Sequence, residues 1–306
     1  MIKKRVLLPE IISFLGEKLI DIKGGPYNQL IDNLADIDHV SDTTLDWVNP
    51  SKVNKQDIVE TSKAKVLLVD KSVIYSNEVG QQHKTLLVVE NPKLCLAEIG
   101  NHFFVEKPRP GIHPTAIIDP EAKIGKSVSI GAYCVIGKAV IGDECVLDTN
   151  IRVYDFVEMG KGCVVKAGAV LGGAGFGYER DENGNKFRFP QIGQLIMGDC
   201  VEVGANTCID RGALSDTIIG DYTKINNLCH IAHNNRIGKN VSIAGCVNIS
   251  GSNVIEDDVW VAPNASIRGF IHIGKEAFVG MGAVVVKDIP AGETWVGNPA
   301  HKMEKR

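Results

Sequence analysis

The sequence predicts a mainly β protein, in which a parallel β-helix of hexapeptide repeats follows a small α/β domain. Aliphatic residues recur every six residues from Ile112 to Val285, apart from two insertions and one slip of a single residue between Ile136 and Ile141. A glycine or another small residue often comes directly after them. The residues before position 106 lack this repeat. A period of six fits neither an α-helix nor a single alternating strand, but it fits a solenoid in which three hexads form one triangular coil.

Residues 1–105 are expected to form the small α/β domain. The stretch PEIISFLGEKL predicts a helix that starts after Pro9, and the apolar runs at 64–70 and 85–90 predict buried strands. Residues 106–111 belong to a proline-rich stretch and are assigned to a linker.

Residues 91–104 predict another helix, because Pro92 stands near its start and an apolar stripe follows. The stripe consists of Leu94, Leu96, Ile99 and Phe103.

Residues 112–306 are assigned to the β-helix. In each hexad the aliphatic residue is expected to point into the prism, while the small residue lets the chain turn a corner. Two insertions, at 172–191 and 210–216, interrupt the frame, and a solenoid accepts such insertions at its corners. The first insertion carries aromatic residues that are expected to cover a ligand or a neighbouring subunit, namely Phe176, Tyr178, Phe187 and Phe189.

Composition narrows the function classes. The chain has 306 residues, of which 44% are hydrophobic and 23% charged, and its net charge of −4 argues against nucleic-acid binding. No window approaches the roughly 20 apolar residues of a membrane span. The eight cysteines form no CxxC pair, and the amino-terminal stretch lacks a signal-peptide cleavage site, so a cytoplasmic protein with reduced cysteines is expected.

The stretch NNLCHIAHNN, residues 226–235, contains the main candidate site. His230 directly precedes the inward Ile231, and His233 follows it by two positions, so both histidines are expected to face outward. A catalytic zinc needs three protein ligands, and the other histidines of the repeat, His113 and His272, lie far along the chain. A zinc site like that of the γ-carbonic anhydrases is therefore disfavoured, and no metal ligands are assigned.

A general base needs only one imidazole. We assign that role to His233, with His230, Asn226 and Asn234 holding a polar substrate or orienting the base. No nucleophile stands at a suitable spacing, so direct transfer without a covalent intermediate is expected. Because the flat faces of a solenoid need a neighbour to cover them, we expect a homotrimer with its sites between subunits.

Three stretches, GAGFGY (173–178), residues 189–221 and HIAHN (230–234), resemble the acyl-UDP-glucosamine N-acyltransferase family of lipid A biosynthesis. The resemblance covers most of the chain and implies a left-handed β-helix, a homotrimer and a uridine-binding first domain. It implies that His233 is the catalytic histidine. We assign Phe176 and Tyr178, from the first insertion, to the substrate. Trp47 and Asn49, in TLDWVNPSK (44–52), match the nucleotide-binding pattern more loosely.

The sequence also departs from that family. Trp47 is the only aromatic residue in its stretch, Phe270 stands where the family has a second histidine, and no terminal helices follow Ala300. The ending resembles coenzyme-A-dependent hexapeptide acyltransferases that act on nucleotide-linked amino sugars. This ending favours acyl-CoA as a cosubstrate, with no permanently bound cofactor. The expected donor contacts are Gly251, Phe270 and Lys287, with Lys302 and Arg306 near the phosphates.

The main prediction is therefore N-acyl transfer from a thioester, acyl-CoA, to the amine of a dTDP- or UDP-linked amino sugar, with His233 as base. The alternative keeps this chemistry but uses an acyl carrier protein as donor and UDP-3-O-acylglucosamine as acceptor. The zinc site is the alternative from another class.

Overall fold

The structure is a computed structural model that describes residues 5–303. The chain divides into two compact units, Met1–Lys107 and Pro108–Arg306. Within the described part, no helix is long and apolar enough to cross a membrane.

The first unit is built on a four-stranded sheet in the order β2 (Leu19–Gly24), β6 (Thr85–Val89), β5 (Val66–Val69) and β4 (Leu45–Trp47). β2 is antiparallel to β6, whereas β5 is parallel to both β6 and β4. β5 and β6 are buried along their whole length, as the apolar runs predict. The elements are β1 (Val6–Leu7), α1 (Leu8–Leu15), β2 (Leu19–Gly24), β3 (Leu30–Ile31), β4 (Leu45–Trp47), α2 (Lys55–Thr61), β5 (Val66–Val69), α3 (Asn77–Gln81), β6 (Thr85–Val89) and α4 (Pro92–Ile99), with 3₁₀ turns at Gly16–Lys18 and Ile37–His39.

The last helix of this unit corrects the predicted stripe. α4 ends at Ile99 and continues as a π-helical turn, Gly100–Phe104. Its buried residues are Pro92, Cys95 and Ile99, which follow the three- and four-residue spacing of one helix face. Leu94, a residue of the predicted apolar stripe, is 50% exposed, so it does not share the buried face of the helix.

The second unit is a left-handed parallel β-helix with three faces. Each strand pairs in parallel with the strand one coil away, and Ile231, Ile249, Ile267 and Val285 share one register. The first face comprises Gly111–Ile112, Ser129–Ile130, Val146–Leu147, Val164–Val165, Glu202–Val203, Lys224–Ile225, Ser242–Ile243, Trp260–Val261, Phe278–Val279, Thr294–Val296 and the antiparallel His301–Lys302.

The second face comprises Ile117–Ile118, Val135–Ile136, Arg152–Val153, Val170–Gly173, Cys208–Asp210, His230–Ile231, Asn248–Ile249, Ser266–Ile267 and Val284–Val285. The third face comprises Lys123–Ile124, Val140–Ile141, Val157–Met159, Leu195–Met197, Thr217–Ile219, Arg236–Ile237, Val254–Ile255 and His272–Ile273.

The hexad aliphatic residues fill the prism as predicted, except at its first coil. From Ile130 onward they are buried, whereas Ile112 is 51% exposed and Ile118 and Ile124 are half-buried. The first coil has no preceding coil to cover it, which explains the difference.

The first insertion forms a two-stranded hairpin, Tyr178–Arg180 with Lys186–Arg188. It leaves the corner after the second face, because it follows Val170–Gly173 in that face and precedes Leu195–Met197 in the third. The second insertion leaves the same corner one coil later, between Cys208–Asp210 and Thr217–Ile219. Both insertions therefore stand at the corner where His233 lies in the following coil.

Candidate active site

His233 lies where the chain turns from the second face to the third. Its backbone is hydrogen-bonded to the next coil. The Ser252 N–H donates to the His233 carbonyl at 3.0 Å, and the Ala232 N–H donates to the Ile249 carbonyl. The turn is closed from inside by a buried asparagine. Asn235 Nδ2 donates to the carbonyl oxygens of Ala232 and Ser250, and its Oδ1 accepts from Asn253. The backbone that carries His233 is therefore fixed on both sides.

Asn234 sets the protonation pattern of the imidazole. Its Nδ2 donates to the Ser215 carbonyl at 2.8 Å, and its Oδ1 accepts from the Ala213 N–H at 3.1 Å. These contacts fix which end of the amide is oxygen. The same Oδ1 lies 2.8 Å from His233 Nδ1, so Nδ1 carries the hydrogen and donates. In the neutral imidazole this places the lone pair on Nε2, the form that a general base requires.

Two glycines make room for the imidazole. A Cβ on Gly175 would lie 2.6 Å from His233 Cδ2, and a Cβ on Gly251 would lie 2.9 Å from His233 Cε1. Side chains do not tolerate such distances, so the ring is packed directly between two backbone segments. One segment comes from the first insertion and the other from the next coil.

His233 and Asn234 line a cavity of about 610 Å³. Its wall is largely apolar and combines both insertions with the next coils. The ring of Phe176 contacts that of Tyr178 edge to face, at 5.0 Å between centroids. The other lining residues are Gly177, Glu179, Phe189, Gln191, Ala213, Leu214, Ser215 and Phe270.

His230 lies on the flat second face, half-exposed, and is not among the lining residues of this cavity in the described chain. Its Nε2 lies 3.9 Å from Asp210 Oδ2. Burial raises the pKa of the Asp210 carboxyl, and the nearby imidazoles of His230 and His233 partly offset that rise. Within residues 5–303, no three His, Cys, Asp or Glu side chains are grouped to hold a metal ion.

The structure separates Asn226 from His233, which corrects the sequence-based grouping. Asn226 lies at the previous corner, between the first and second faces, where its Oδ1 accepts from the Asn227 N–H at 2.7 Å. It lines a different groove of about 360 Å³, together with Lys224 and Trp260. A hexad frame shows that both residues face outward but places them at different corners of the coil.

Gly251, Phe270 and Lys287 follow His233 along one edge of the prism. Gly251 packs against the imidazole, and Phe270, 83% exposed, lines the cavity. Lys287 is exposed and lies three coils beyond His233, about 14 Å along the axis at the usual spacing of neighbouring strands. Lys302 pairs with Glu293 at 2.6 Å, and Arg306 lies outside the described residues.

Trp47 and Asn49 lie in the first unit, where they line a cavity of about 350 Å³ with Asp46 and Lys52. Asp46 accepts from the Ser62 hydroxyl at 2.8 Å, and Asn49 Oδ1 accepts from the Ser51 N–H at 3.0 Å. The cavity thus presents one aromatic wall beside a held carboxylate.

Gly175, Gln191 and Ser215 were not predicted as site residues from the sequence. All three belong to the two insertions, where no hexad repeat predicts the direction of a side chain. The glycine-rich run GAGFGY was a signal for close backbone approach at Gly175, but nothing in the pattern distinguishes Gln191 from a surface glutamine.

Comparison with known proteins identifies similar chains. A family model described as bacterial transferase hexapeptide (six repeats) matches residues 254–287. UDP-3-O-acylglucosamine N-acyltransferase 1 of Francisella tularensis subsp. holarctica (strain OSU18) is 38% identical over 320 residues, covering 96% of this chain and 90% of that protein. UDP-3-O-acylglucosamine N-acyltransferase of Coxiella burnetii (strain RSA 493 / Nine Mile phase I) is 34% identical over 275 residues, covering 83% and 78%.

Solved structures share the β-helix. UDP-N-acetylglucosamine O-acyltransferase (LpxA) from Moraxella catarrhalis RH4 matches with a TM-score of 0.58 and 28% identity, over 63% of this chain and 73% of that chain. LpxA from Acinetobacter baumannii matches with a TM-score of 0.57 and 29% identity over the same shares.

Proposed function

Since the chain belongs to the UDP-3-O-acylglucosamine N-acyltransferase family, we propose that it transfers an acyl group from an acyl carrier protein thioester to the amine of UDP-3-O-acylglucosamine. The family resemblance and the N-acyltransferase activity are confirmed. The relatives' names match the alternative named in the sequence analysis, rather than the predicted acyl-CoA donor, for which they give no support.

The observation that carries the proposal is the oriented imidazole of His233. Its Nδ1 is held by Asn234 at 2.8 Å, which leaves Nε2 to take a proton. In the proposed reaction the amine nitrogen attacks the thioester carbonyl carbon and forms the C–N bond. The amine proton passes to Nε2, the C–S bond breaks, and the thiolate leaves and takes up a proton.

Negative charge develops on the thioester oxygen during the attack and needs a hydrogen-bond donor. Within residues 5–303, the Gly251 N–H donates to no protein acceptor, and Gly251 packs against His233. We assign this N–H to the developing oxyanion. The absence of a side chain at Gly251 lets a substrate approach the backbone closely.

The apolar wall of the cavity suits acyl chains. Phe176, Phe189, Leu214 and Phe270 surround the polar pair of His233 and Asn234. An acyl chain that covers these side chains removes apolar surface from water. This arrangement supports Phe176 and Tyr178 as substrate contacts.

For the nucleotide, the relatives' names favour UDP over dTDP. We assign the uracil ring to the cavity beside Trp47, where an aromatic wall offers stacking. Homotrimer formation and a cytoplasmic location remain parts of the proposal. The eight free cysteines fit a reducing compartment, and light scattering that gives about three times 33.1 kDa would support the trimer.

The test is a thiol-release assay with the acyl carrier protein thioester and acyl-CoA side by side. Each donor is combined with UDP-3-O-acylglucosamine and with a dTDP-linked amino sugar. Turnover of the carrier-protein donor with the UDP acceptor is expected, and His233→Ala serves as the inactive control. Turnover with acyl-CoA and the dTDP acceptor alone would reject the proposal and restore the donor expected from the sequence.

A further inference from the structure

The wall of the His233 cavity contains a polar side chain that the proposed reaction does not use. Gln191 lines the cavity and is 6% exposed. Its Nε2 donates to the Phe189 carbonyl at 3.4 Å. Among the described residues, its Oε1 is buried without a hydrogen-bond partner. An unpaired buried acceptor lowers stability, so the fold alone gives no reason for an oxygen at this position.

The unpaired oxygen lies beside the imidazole. A Cβ placed on Gly175 would sit 2.6 Å from His233 Cδ2 and 2.8 Å from Gln191 Oε1, so both atoms border the same small space. The orientation of the amide is set, because turning it over would bring Oε1 against the Phe189 carbonyl in place of Nε2. Since Gly175 has no side chain, no Cβ fills the space that the oxygen and the ring border.

We propose that Gln191 is a positioning residue whose unpaired carbonyl oxygen stabilises the positive charge that His233 acquires with the proton. This inference rests on the proposed function, because it requires His233 to act as the base. A neighbouring carbonyl dipole gives a neutral imidazole little electrostatic stabilisation. An imidazolium is attracted to it, and the shielded surroundings strengthen that attraction. This charge–dipole attraction therefore favours the transition state over the ground state.

Other charged or titratable groups also surround His233. Asp210 and His230 lie on the second face, and Glu179 lies in the cavity wall. Arg211 is level with His233 one coil earlier, since Cys208 pairs with His230. These groups are common to the wild type and to variants at position 191, so a difference between those proteins reports on Gln191.

The experiment compares Gln191→Met and Gln191→Glu with the wild type, using kcat, KM, the pH–rate profile and thermal unfolding. Gln191→Met is expected to lower kcat about tenfold with KM within about twofold, and to move the acid limb to lower pH by about 0.5–1 unit. Its Tm is expected to equal the wild-type value or exceed it by up to about 3 °C, because the removal of an unpaired acceptor outweighs the loss of the long 3.4 Å hydrogen bond from Nε2. Gln191→Glu is expected to move the acid limb to higher pH.

Gln194→Met is the matched control. Gln194 stands three residues away and is not among the residues of the described chain that line the cavity, so wild-type kinetics are expected. A lower Tm in Gln191→Met with an unmoved acid limb in both variants would indicate a structural role and overturn the inference, while the proposed function stands. A wild type that turns over neither thioester would instead overturn the proposed function and the inference with it.

Discussion

Two corners of the same coil carry similar residue types but have different surroundings. Asn226 and Asn227 lie at the corner between the first and second faces, and their side chains accept from the backbone N–H groups of Asn227 and Ala205. His233 and Asn234 lie at the next corner, where Asn234 bonds to the imidazole and to the 210–216 insertion. At the first corner asparagine closes the turn, whereas at the second it holds a candidate base.

The difference comes from the insertions. Both stand at the second corner, and they bring Gly175, Gln191 and Ser215 against His233 and Asn234. The first corner receives neither insertion, and its groove contains the exposed pair of Lys224 and Glu202. A repeated coil therefore becomes a walled site where non-repeated sequence covers it.

The largest difference between the corners is expected from removing His233. His233→Ala should lower kcat by roughly 10²–10⁴, because the attacking amine loses its proton acceptor. His230→Ala, on the same coil, should lower kcat by less than about tenfold, since general-base catalysis is retained. Steady-state kinetics at saturating donor and acceptor measure both effects. A His233→Ala enzyme with near-normal kcat would remove the second corner from the reaction.

The next largest effect is expected at the glycines that differ between the corners. Gly175→Ala would place a Cβ 2.6 Å from His233, and the resulting shift of the ring should lower kcat by about 10². Gly245→Ala is the matched control at the first corner, where a Cβ would lie 3.6 Å from the Asn227 carbonyl. An equal decrease in kcat in the two variants would show that the effect is not specific to the imidazole.

Asn234→Ala is expected to lower kcat about tenfold, because His233 Nδ1 loses the oxygen that fixes its tautomer. The control is Asn240→Ala at the third corner of the coil. Asn240 has φ +54° and Asn234 has φ +60°, so both substitutions carry a similar left-handed backbone penalty. The backbone penalty should lower the Tm of both variants, whereas the loss of the tautomer-fixing oxygen should lower kcat in Asn234→Ala alone. A similar kcat for both variants would contradict the tautomer assignment.

The smallest effect is expected from Asp210. Burial raises its folded-state pKa, so its contribution to stability is present below the unfolded value of about 3.9 and is lost as pH rises through the folded value. The Tm of Asp210→Asn minus that of the wild type should therefore increase between pH 4 and pH 7. Glu202→Gln, in the exposed pair with Lys224 at the first corner, should show little change with pH. If the difference in Tm between Asp210→Asn and the wild type did not change with pH, the raised pKa of Asp210 would be contradicted.

The sequence by itself determined the periodic part of the protein. A residue's direction in a hexad depends on its place within a single strand and turn, so Ile231 could be assigned inward and His233 outward from local spacing alone. The buried strands Val66–Val69 and Thr85–Val89 follow from short apolar runs for the same reason. The motifs around His233 were enough to indicate the family.

Only the tertiary structure decided which outward residues meet. Asn234 reaches Ser215 across 19 positions. Gly175 and Gln191 flank the hairpin of the first insertion and border the same space as His233, which the hexad frame does not describe. The tertiary structure also decided three other features, namely the separation of Asn226 from His233, the exposure of Leu94 and the unpaired Gln191 oxygen. Each depends on packing between segments far apart in the chain, and neither hydrophobic period nor local propensity carries that information.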